Sequence, residues 1–542
     1  MNKTMCLRLL GLKLPPTASD QELALLKKAV SKVLGLAAEF ITEIQIVRKS
    51  LDARKRQGNN EGLSFVYIID VKTSVAVSYK TRSRSVTAEP IPAAPHFLVE
   101  KGVICLKHRP VVVGAGPAGL FAALLLAQNG YCPLLVERGK QINERAVDVR
   151  RFWRDGLLEP ESNVQFGAGG AGAFSDGKLT SRSKDPLSAW VLNEMAEAGA
   201  PADCLYLAKP HIGSDKLLEV TANLINKIKL LGGEVIYQSR LDDMHSENGK
   251  LCALLVGNKM VPTDACVLAI GHSSRDTYHM LFQHGVAMSP KGFAMGLRVQ
   301  HPQKMINKVQ YGSADNKLLG AADYALRYRH ELSGRGVYSF CMCPGGAIVN
   351  AASEVGGVVT NGISNSARDS AFANSAIVVQ VEPSDFGLNP LDGMAWQRDL
   401  EQAAFAAGGS TYALPAQSVT DFLAGRKSAE LPADFAPYTC SVTPADLREF
   451  LPTFVSEALA DALGFWQRQI DGFATSGVLA GVETRTSAPL RILRNEQAQS
   501  ITIKGLYPAG EGAGYAGGIV SSAIDGLHAA LSLMADNAPA AE

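Results

Sequence analysis

Residues 110–139 read PVVVGAGPAGLFAALLLAQNGYCPLLVERG, and this stretch decides the fold class. Three consecutive valines predict a short buried strand, and Gly114 allows the sharp turn that leaves it. Gly116 lets a pyrophosphate approach backbone N–H groups at a helix N-terminus, where the helix dipole favours negative charge. Gly119 lets that helix pack on the sheet. The stretch therefore predicts a phosphate-binding strand, turn and helix.

A second apolar strand follows at residues 133–136 and ends at Glu137, which lies 18 residues after Gly119. This spacing places the carboxylate to accept hydrogen bonds from an adenosine ribose. Residues 167–172 and 512–517 also match GxGxxG, but the first lacks a following apolar helix and the second lacks a later strand and acid. Only the stretch that begins at Gly114 is a full dinucleotide fingerprint. The alternatives are a nucleotide-free α/β turn at 114 and flexible loops at the other two.

The 26 residues from Val111 to Val136 carry no charged side chain and are long enough to span a bilayer. The glycines and Pro117 instead divide them into a strand, a turn and a packed helix. The N-terminal segment contains Arg8 and Lys13 and lacks a cleavage pattern, so it indicates a first strand rather than a signal peptide. We expect no membrane partner.

Composition indicates a folded protein of roughly three domains. Of the 542 residues, 46% are hydrophobic and 19% are charged, and the net charge is +1. Overall charge therefore gives no case for a nucleic acid or an anionic membrane, although residues 1–100 carry 15 Lys or Arg against 9 Asp or Glu. Nine scattered cysteines fit neither a disulfide framework nor a zinc site, so we expect no metal and a cytoplasmic location.

The predicted organisation has four parts. Residues 1–105 form a small N-terminal α/β domain, with a capping box at Ser19–Glu22 and a linker from Lys72 to Pro95. Residues 106–275 form the first part of a dinucleotide-binding domain, in which residues 234–241 and 265–270 are strands. Residues 276–474 form an inserted antiparallel-sheet substrate domain, and residues 475–542 complete the first fold.

A choice between FAD and NAD follows from the ending GLYPAGEGAGYAGGI, where Glu511 stands between a strand and a glycine-rich helix start. A single NAD fold leaves this distant ending unexplained. Together with GAGPAGL and the strand that ends at Gly271, it resembles the glutathione-reductase-like flavoprotein superfamily. That resemblance implies a three-layer, Rossmann-type FAD domain, with Leu241 at the adenine and Glu511 at the ribityl chain, where the superfamily usually has Asp.

The whole chain resembles bacterial uncharacterised FAD-dependent dehydrogenases. The blocks that carry this resemblance include VRKSLDAR from residue 47, NVQFGAGGAGAFSDGKLT from 163, KPHIGSDKL from 209, YSFCMCPGG from 338 and TRTSAPLRI from 484. The resemblance implies that the loop 167–178 runs beside the flavin pyrophosphate. Together, motif and resemblance give these cofactor-binding residues: Gly114, Gly116, Pro117, Ala118, Gly119, Glu137, Arg138, Gly169, Gly170, Ser175, Asp176, Leu241, Gly271, Gly510, Glu511, Gly518 and Ile519.

No second strand-turn-helix-strand-acid unit offers a nicotinamide site, so the chain looks like the flavoproteins that have a substrate domain in its place. The electron donor stays open, because NAD(P)H can also dock transiently at the flavin. No His or Cys stands out as a covalent attachment site, and we expect noncovalent FAD.

Cys341 and Cys343 are the catalytic candidates. Residues two apart on a strand point to one face, so both thiols could face the flavin, where reactivity would depend on a lowered thiol pKa. The alternative is a pair of small buried core residues.

Four polar residues of the insert, Arg298, Tyr338, Asn365 and Arg368, are candidates for binding an anionic substrate, because guanidinium groups pair with carboxylate or phosphate. His211 and His272 could move protons. Each of these residues could equally be structural.

The sequence thus predicts a FAD-dependent oxidoreductase with an unidentified small-molecule substrate. Two alternatives stay open at this point. One is a flavin-binding regulatory module whose basic N-terminal domain recruits a partner. The other is an RNA-modifying flavoenzyme that uses the N-terminal domain and the cysteine pair together.

Overall fold

The computed structural model describes residues 4–53, 62–93, 97–181, 184–315, 318–435, 437–439 and 441–541. Three features of the sequence analysis fall partly outside these ranges: the end of the block that begins at Val47, the end of the predicted linker at Pro95, and Cys440.

The N-terminal unit is a four-stranded antiparallel sheet with one helix. Its elements are β1 (Met5–Leu14), α1 (Ser19–Leu34), a 3-10 turn (Ala38–Phe40), β2 (Ile41–Asp52), β3 (Ser64–Thr73) and β4 (Thr87–Glu89), and the strand order is β2-β3-β1-β4. Leu26 and Val30 of α1 join Leu7 and Leu9 of β1 in one buried cluster. Helical spacing of apolar residues in α1 and alternation in β1 produce this core.

Two N-terminal details differ from the prediction. Residues 87–89 pair with β1, so the predicted linker contains strand β4. The capping box does not form: Ala18 is the N-cap of α1 and caps without a side chain. Glu22 is instead buried, where it accepts hydrogen bonds from Tyr67 at 2.5 Å and from Lys49. Glu22 is drawn inward because a buried Tyr hydroxyl and a Lys need an acceptor there.

Three basic residues of the N-terminal unit form ion pairs with acidic residues of the same unit. Arg8 pairs with Asp70 at 2.7 Å, and Lys13 pairs with Asp52 at 3.3 Å. Lys49 pairs with Glu22. These pairs fix the positions of the three basic side chains and leave the net charge of the unit unchanged.

The nucleotide-binding domain begins with β5 (Val111–Val113), α2 (Pro117–Gln128), β6 (Leu134–Val136), α3 (Ile142–Asp155), a 3-10 turn (Ala171–Phe174), α4 (Leu187–Glu197), a 3-10 turn (Ala202–Leu205), α5 (Ser214–Leu230) and β7 (Glu234–Ile236). It continues with β8 (Leu241–Glu247), β9 (Lys250–Val256), β10 (Lys259–Pro262), β11 (Cys266–Leu268), α6 (Arg275–Gln283) and β12 (Met288–Pro290).

The inserted domain contains β13 (Phe293–Pro302), α7 (Gln303–Tyr311), β14 (Arg327–Arg329), β15 (Gly336–Cys343), β16 (Gly346–Asn350), β17 (Thr360–Ser364), β18 (Phe372–Val381), α8 (Pro383–Phe386), α9 (Asp392–Ala407) and β19 (Leu414–Ser418). It ends with α10 (Val419–Ala424), β20 (Val442–Pro444), a 3-10 turn (Leu447–Glu449), α11 (Thr453–Gln467) and β21 (Val478–Glu483). The chain then returns through β22 (Leu490–Ile492), β23 (Leu506–Pro508) and α12 (Ile519–Asp536).

A five-stranded parallel sheet of order β23-β11-β5-β6-β7 is the centre of the nucleotide-binding domain. Val112 faces a cluster that contains residues of α2, α5 and α12, whereas Val111 and Val113 face a cluster that contains the β8–β10 sheet. Alternate side chains of one short strand thus bury two faces. The three-layer, Rossmann-type fold is confirmed.

The uncharged stretch 111–136 divides into β5, α2 and β6, as predicted. Within the described ranges, we find no helix with the length and apolarity required to cross a membrane.

The inserted domain is built on a seven-stranded sheet of order β14-β15-β18-β13-β21-β19-β20, in which all pairings are antiparallel except β19 with β20. β21 lies between β13 and β19, so the sheet of the insert continues to Glu483. The predicted boundary at residue 474 therefore lies inside this domain, because the pattern of β21 cannot reveal which sheet it joins.

The predicted strand 234–241 is two elements. β7 ends at Ile236 in the parallel sheet, and Leu241 begins β8 in the three-stranded sheet. Gln238 lies between them with φ +50°, a left-handed conformation that interrupts an extended chain.

Candidate functional site

A cavity of about 390 Å³ opens beyond the carboxyl ends of the parallel strands. Its wall includes residues that follow β5, β6, β11 and β23, namely Gly114, Glu137, Ile270 and Glu511. Open α/β sheets characteristically bind ligands at this edge. The cavity also reaches residues of the inserted domain, so it joins the two halves of the molecule.

The phosphate turn has the geometry that its glycines predict. Gly116 is the N-cap of α2 and Pro117 is its first residue, so the first-turn amides point out of the helix without intrahelical partners. Gly170, at φ +60°, packs against this turn, and a Cβ added there would lie 2.9 Å from the Gly116 Cα. The cavity wall is therefore bare backbone, which allows a phosphate to approach the N–H groups.

Glu137 joins three backbone segments around this turn. Its carboxylate accepts hydrogen bonds from the amides of Ala115 at 2.8 Å, Gly139 at 2.9 Å and Gly167 at 2.9 Å. The side chain is buried and lines the cavity. A carboxylate offers about four acceptor positions, so it retains capacity for a ribose hydroxyl.

The opposite end of the cavity is formed by the turn after β23. His272 Nδ1 lies 3.5 Å from Glu511 Oε1, and His272 Nε2 is buried with no hydrogen-bond partner in the described part of the chain. A Cβ on Gly512 would lie 2.7 Å from the Gly271 backbone, and Tyr278 donates a hydrogen bond to the Gly512 carbonyl at 2.7 Å. The turn after β23 is thus held against the turn after β11, where His272 carries an unused polar atom at the cavity wall.

These features fit FAD. Helix N-terminal amides suit the pyrophosphate, the buried Glu137 suits the adenosine ribose, and Glu511 with His272 offers polar partners to the ribityl chain.

The far wall of the cavity belongs to the inserted domain and its edge. The lining residues there are Phe340, Cys341, Asn361, Glu483, Arg485 and Thr486, and Lys178 of the glycine loop faces them. Residues of the insert therefore line the same cavity as the phosphate turn.

A buried ionic network fastens this wall to the nucleotide-binding domain. Glu401 of α9 accepts paired hydrogen bonds from Arg275 of α6, at 2.9 and 3.0 Å, and from Arg485, at 2.7 and 2.9 Å. Arg485 also donates to Ser273 at 3.0 Å. Burial alone would raise the pKa of Glu401, but the two guanidinium charges hold it well below its usual range. The network fixes Arg485 at the cavity wall.

The two candidate cysteines occupy different environments. β15 bulges between Phe340 and Cys343, and Cys341 has φ +44°. Cys341 therefore lines the cavity, whereas Cys343 is fully buried behind it. The simple alternation of a strand, which puts both thiols on one face, does not apply at a bulge. Both sulfurs still lie close to one cation, at 3.9 Å and 3.6 Å from Lys178 Nζ.

All but three of the predicted cofactor residues line the cavity. Those that do so are Gly114, Gly116, Pro117, Ala118, Glu137, Arg138, Gly170, Ser175, Asp176, Leu241, Gly271, Glu511, Gly518 and Ile519. Gly119, Gly169 and Gly510 lie behind the wall. Gly119 packs under the turn, Gly169 donates to Ala115 at 2.8 Å, and Gly510 donates to Asp525 at 2.6 Å.

None of the four predicted substrate residues lines the cavity. Arg298 is fully buried and is bonded to Glu483 and Asn374, and Arg368 is bonded to Asp176. Asn365 bonds to Ser214, and Tyr338 lies on β15 away from the cavity. The guanidinium groups serve buried carboxylates and therefore are not free to bind a substrate.

Of the two histidines, His272 lines the cavity and His211 does not. His211 bonds to the Ser366 carbonyl at 3.0 Å, and burial lowers its pKa.

Five residues of the cavity wall were not predicted from the sequence: Lys178, Asn361, Glu483, Arg485 and Thr486. Lys178 stands in the quoted block after Asp176 and Gly177, and Arg485 and Thr486 stand in TRTSAPLRI. The position of these three residues inside the quoted blocks was the signal in the sequence that could have marked them as site residues. Asn361 of β17 and Glu483 of β21 belong to different sheets, and they come together only because the two sheets pack around Arg298.

Comparison with known proteins gives three family matches. A profile described as "FAD-dependent protein, C-terminal domain-like" matches residues 292–486, a NAD(P)-binding Rossmann-like domain matches residues 112–171, and a domain of unknown function matches residues 7–60. The first match begins at the start of β13 and ends just after β21, in agreement with the sheet topology.

Two relatives are similar in sequence. An uncharacterized protein of Clostridium beijerinckii is 47% identical over 514 residues, which cover 94% of this chain and 96% of that protein. A probable electron transfer flavoprotein-quinone oxidoreductase of Escherichia coli, YgcN, is 23% identical over 194 residues, which cover 35% of this chain and 41% of that protein.

Solved structures resemble the chain more distantly. Glycine oxidase from Bacillus cereus is 11% identical with a TM-score of 0.32, covering 80% of this chain and 99% of that one. CtdE in complex with FAD is 10% identical with a TM-score of 0.30, covering 78% and 82%. TM-scores this low give no residue correspondence.

The cofactor of this chain is FAD, which agrees with the matched C-terminal domain and with the phosphate turn and ribose-side carboxylate of the cavity. The 47% identity extends along almost the full length of both proteins. With the uncharacterized clostridial protein, the chain belongs to a FAD-dependent oxidoreductase-like family that combines a Rossmann-like nucleotide-binding domain with a FAD-dependent C-terminal domain.

Proposed function

We propose that the protein is a FAD-dependent oxidoreductase that acts on a small molecule at the wall of the inserted domain. The observation that carries this proposal is the continuity of one cavity, from Gly116 and Glu137 through Glu511 to Cys341. An extended, noncovalent FAD that spans Gly116, Glu137 and Glu511 would present its reactive ring to Cys341. The likeness to the glutathione-reductase-like superfamily supports the same arrangement.

Bound FAD supplies hydride or electron transfer. The chain supplies the surroundings: the glycine turns hold the phosphates, and the insert shields the ring from water. Cys341 is the cysteine that lines the cavity, and Cys343 is buried behind it. Asn361 and Thr486 are polar side chains on the same wall and are suited to orient a substrate.

The electron donor is part of the proposal. One dinucleotide fingerprint serves FAD, so NADH or NADPH would dock transiently at the open side of the cavity. We place the protein in a reducing cytosol, because its nine cysteines are scattered along the sequence without the pattern of a disulfide framework.

The experiment is a purification followed by an absorbance spectrum, release of the cofactor by heat, and anaerobic titration with NADH and NADPH. We expect an oxidised-flavin spectrum, release of FAD, and bleaching that a screen of candidate acceptors reverses. A colourless protein that takes up no added FAD would refute the proposal. Bleaching without reoxidation by any acceptor would favour the regulatory module instead.

The thiols are tested separately with Cys341→Ser and Cys343→Ser, and with Cys132→Ser as a control at an exposed cysteine far from the cavity. Loss of reoxidation in the Cys341 variant alone supports direct contact with the substrate. Unchanged turnover in both site variants would eliminate the thiol role.

A further inference from the structure

Lys178 is the link between the glycine loop and the cysteine pair. Its ammonium nitrogen lies 3.9 Å from Cys341 Sγ, 3.6 Å from Cys343 Sγ and 3.0 Å from Asp176 Oδ2. The backbone around it is held by a bridge to His211 on the neighbouring segment. A single cation therefore contacts both thiols at the wall that the proposed function assigns to the substrate.

The backbone presents the two thiols unequally. The bulge turns Cys341 toward the cavity, and the Cys343 thiol lies 3.2 Å from the Cys341 carbonyl oxygen. The same oxygen lies 3.4 Å from Arg298 Nη1. Cys341 is thus anchored through its own backbone at a position that lines the cavity.

The charges around the pair leave room for one anion. Three cationic side chains lie near the cysteine pair or its direct neighbours: Lys178, Arg298 and Arg368. Two carboxylates oppose them, because Asp176 pairs with Lys178 and Arg368, and Glu483 pairs with Arg298. His211, the remaining titratable group on the adjacent segment, has a pKa lowered by burial. One thiolate balances the excess positive charge.

We propose that Lys178 is a positioning residue that holds Cys341 as a thiolate at the cavity wall, while Cys343 stays protonated, so that Cys341 is the nucleophile of the pair toward a soft electrophilic substrate. This inference rests on the proposed function, because it assigns chemistry to the same wall.

The ionisation of the two thiols agrees with this assignment. A side-chain hydrogen bond with Cys343 lowers the pKa of Cys341, and the charges of Lys178 and Arg298 lower it further. Burial acts in the opposite direction, and the resulting pKa is about 6. The shared hydrogen bond and burial raise the pKa of Cys343 well above its usual value. Lowered thiol pKa values beside a Lys are characteristic of reactive cysteines.

The test is alkylation of the purified flavin-containing protein by iodoacetamide across a pH series, with the modified cysteine located by peptide mass spectrometry. The thiolate sulfur displaces iodide, so one C–S bond forms as one C–I bond breaks. We expect modification of Cys341 with a half-point near pH 6 and an unmodified Cys343. Lys178→Met should raise this half-point by at least about one unit, which lowers the thiolate fraction, and with it the rate at pH 6, at least about fivefold. Lys178→Arg should restore most of the shift.

The control is Lys184→Met, which removes an exposed lysine from the same loop. A wild-type half-point near the ordinary thiol value of about 8.5 would overturn the inference. So would an unchanged half-point in Lys178→Met or preferential modification of Cys343. If Lys178→Met fails to fold, the wild-type and Lys178→Arg profiles decide.

A second measurement avoids the need for reagent access. The ultraviolet absorbance of the thiolate, taken as the difference between wild type and Cys341→Ser, should titrate at the same pH. Flavin content is recorded on each sample. A reactive Cys341 in protein that binds no FAD refutes the proposed function alone, whereas a yellow protein without a low-pH thiolate refutes this inference alone.

Discussion

Replacement of Glu137 by Gln should weaken FAD binding without disrupting the fold. The carboxylate accepts hydrogen bonds from Ala115, Gly139 and Gly167. A Gln side chain retains one oxygen for the two amides that share Oε1, but its NH₂ group then faces the Ala115 N–H. One charge-assisted hydrogen bond is lost at the phosphate turn, and a buried donor loses its acceptor.

FAD itself loses the charge-assisted hydrogen bond from its ribose hydroxyl to this carboxylate, and a hydrogen bond to a charged group contributes about 1.5–3 kcal/mol. Since 1.4 kcal/mol corresponds to a factor of ten, the Kd for FAD should rise about 10- to 100-fold. Quenching of flavin fluorescence on titration of the FAD-free protein measures this Kd. Glu144→Gln, at an exposed carboxylate on α3, is the matched control and should bind FAD as the wild type does. Equal affinities for Glu137→Gln and the wild type would refute the role we give to this carboxylate.

Three further changes test the frame around the cavity. Gly512→Ala places a Cβ 2.7 Å from the Gly271 backbone and should release FAD on gel filtration, whereas Gly464→Ala, with open space at its Cβ, should retain it. Arg298→Lys keeps the positive charge but loses the forked pair of hydrogen bonds to the buried Glu483. It should lower the free energy of unfolding by about 1.5–3 kcal/mol, measured by urea denaturation, and an unchanged midpoint would contradict this. Burial raises the pKa of Glu354, but the hydrogen bond to Arg398 and the charges of Arg275 and Arg485 lower it to about 2. The Glu354 carboxylate therefore contributes its full stabilisation above the pKa of the unfolded chain, which is about 4.3, and this stabilisation is lost as the pH falls toward 2. The Tm difference between wild type and Glu354→Gln should therefore shrink over that range, and a constant difference would refute the assignment.

The features that sequence predicted well depend on local backbone geometry. The phosphate turn requires glycine where the chain turns and where a phosphate approaches, and the acid follows at the end of the next strand. These requirements are contained in one short stretch, 110–139. The boundaries of β5, α2 and β6 follow from the same stretch.

The features that sequence did not predict depend on distant pairing. Arg298 resembles a free substrate ligand until strand pairing brings Glu483 beside it, 185 residues away. Lys178 reaches the cysteines only because the glycine loop packs against the insert. The bulge at Cys341 also has no local signature in YSFCMCPGG, so strand alternation gave the wrong orientation for Cys343.

The most direct test of the account is a crystal structure of the protein with FAD. The account predicts the adenosine at Glu137, the pyrophosphate at the N-terminus of α2, and the isoalloxazine ring against Cys341 and Asn361. A ring that lies outside the cavity, or electron density for an adenine nucleotide without a flavin, would contradict it.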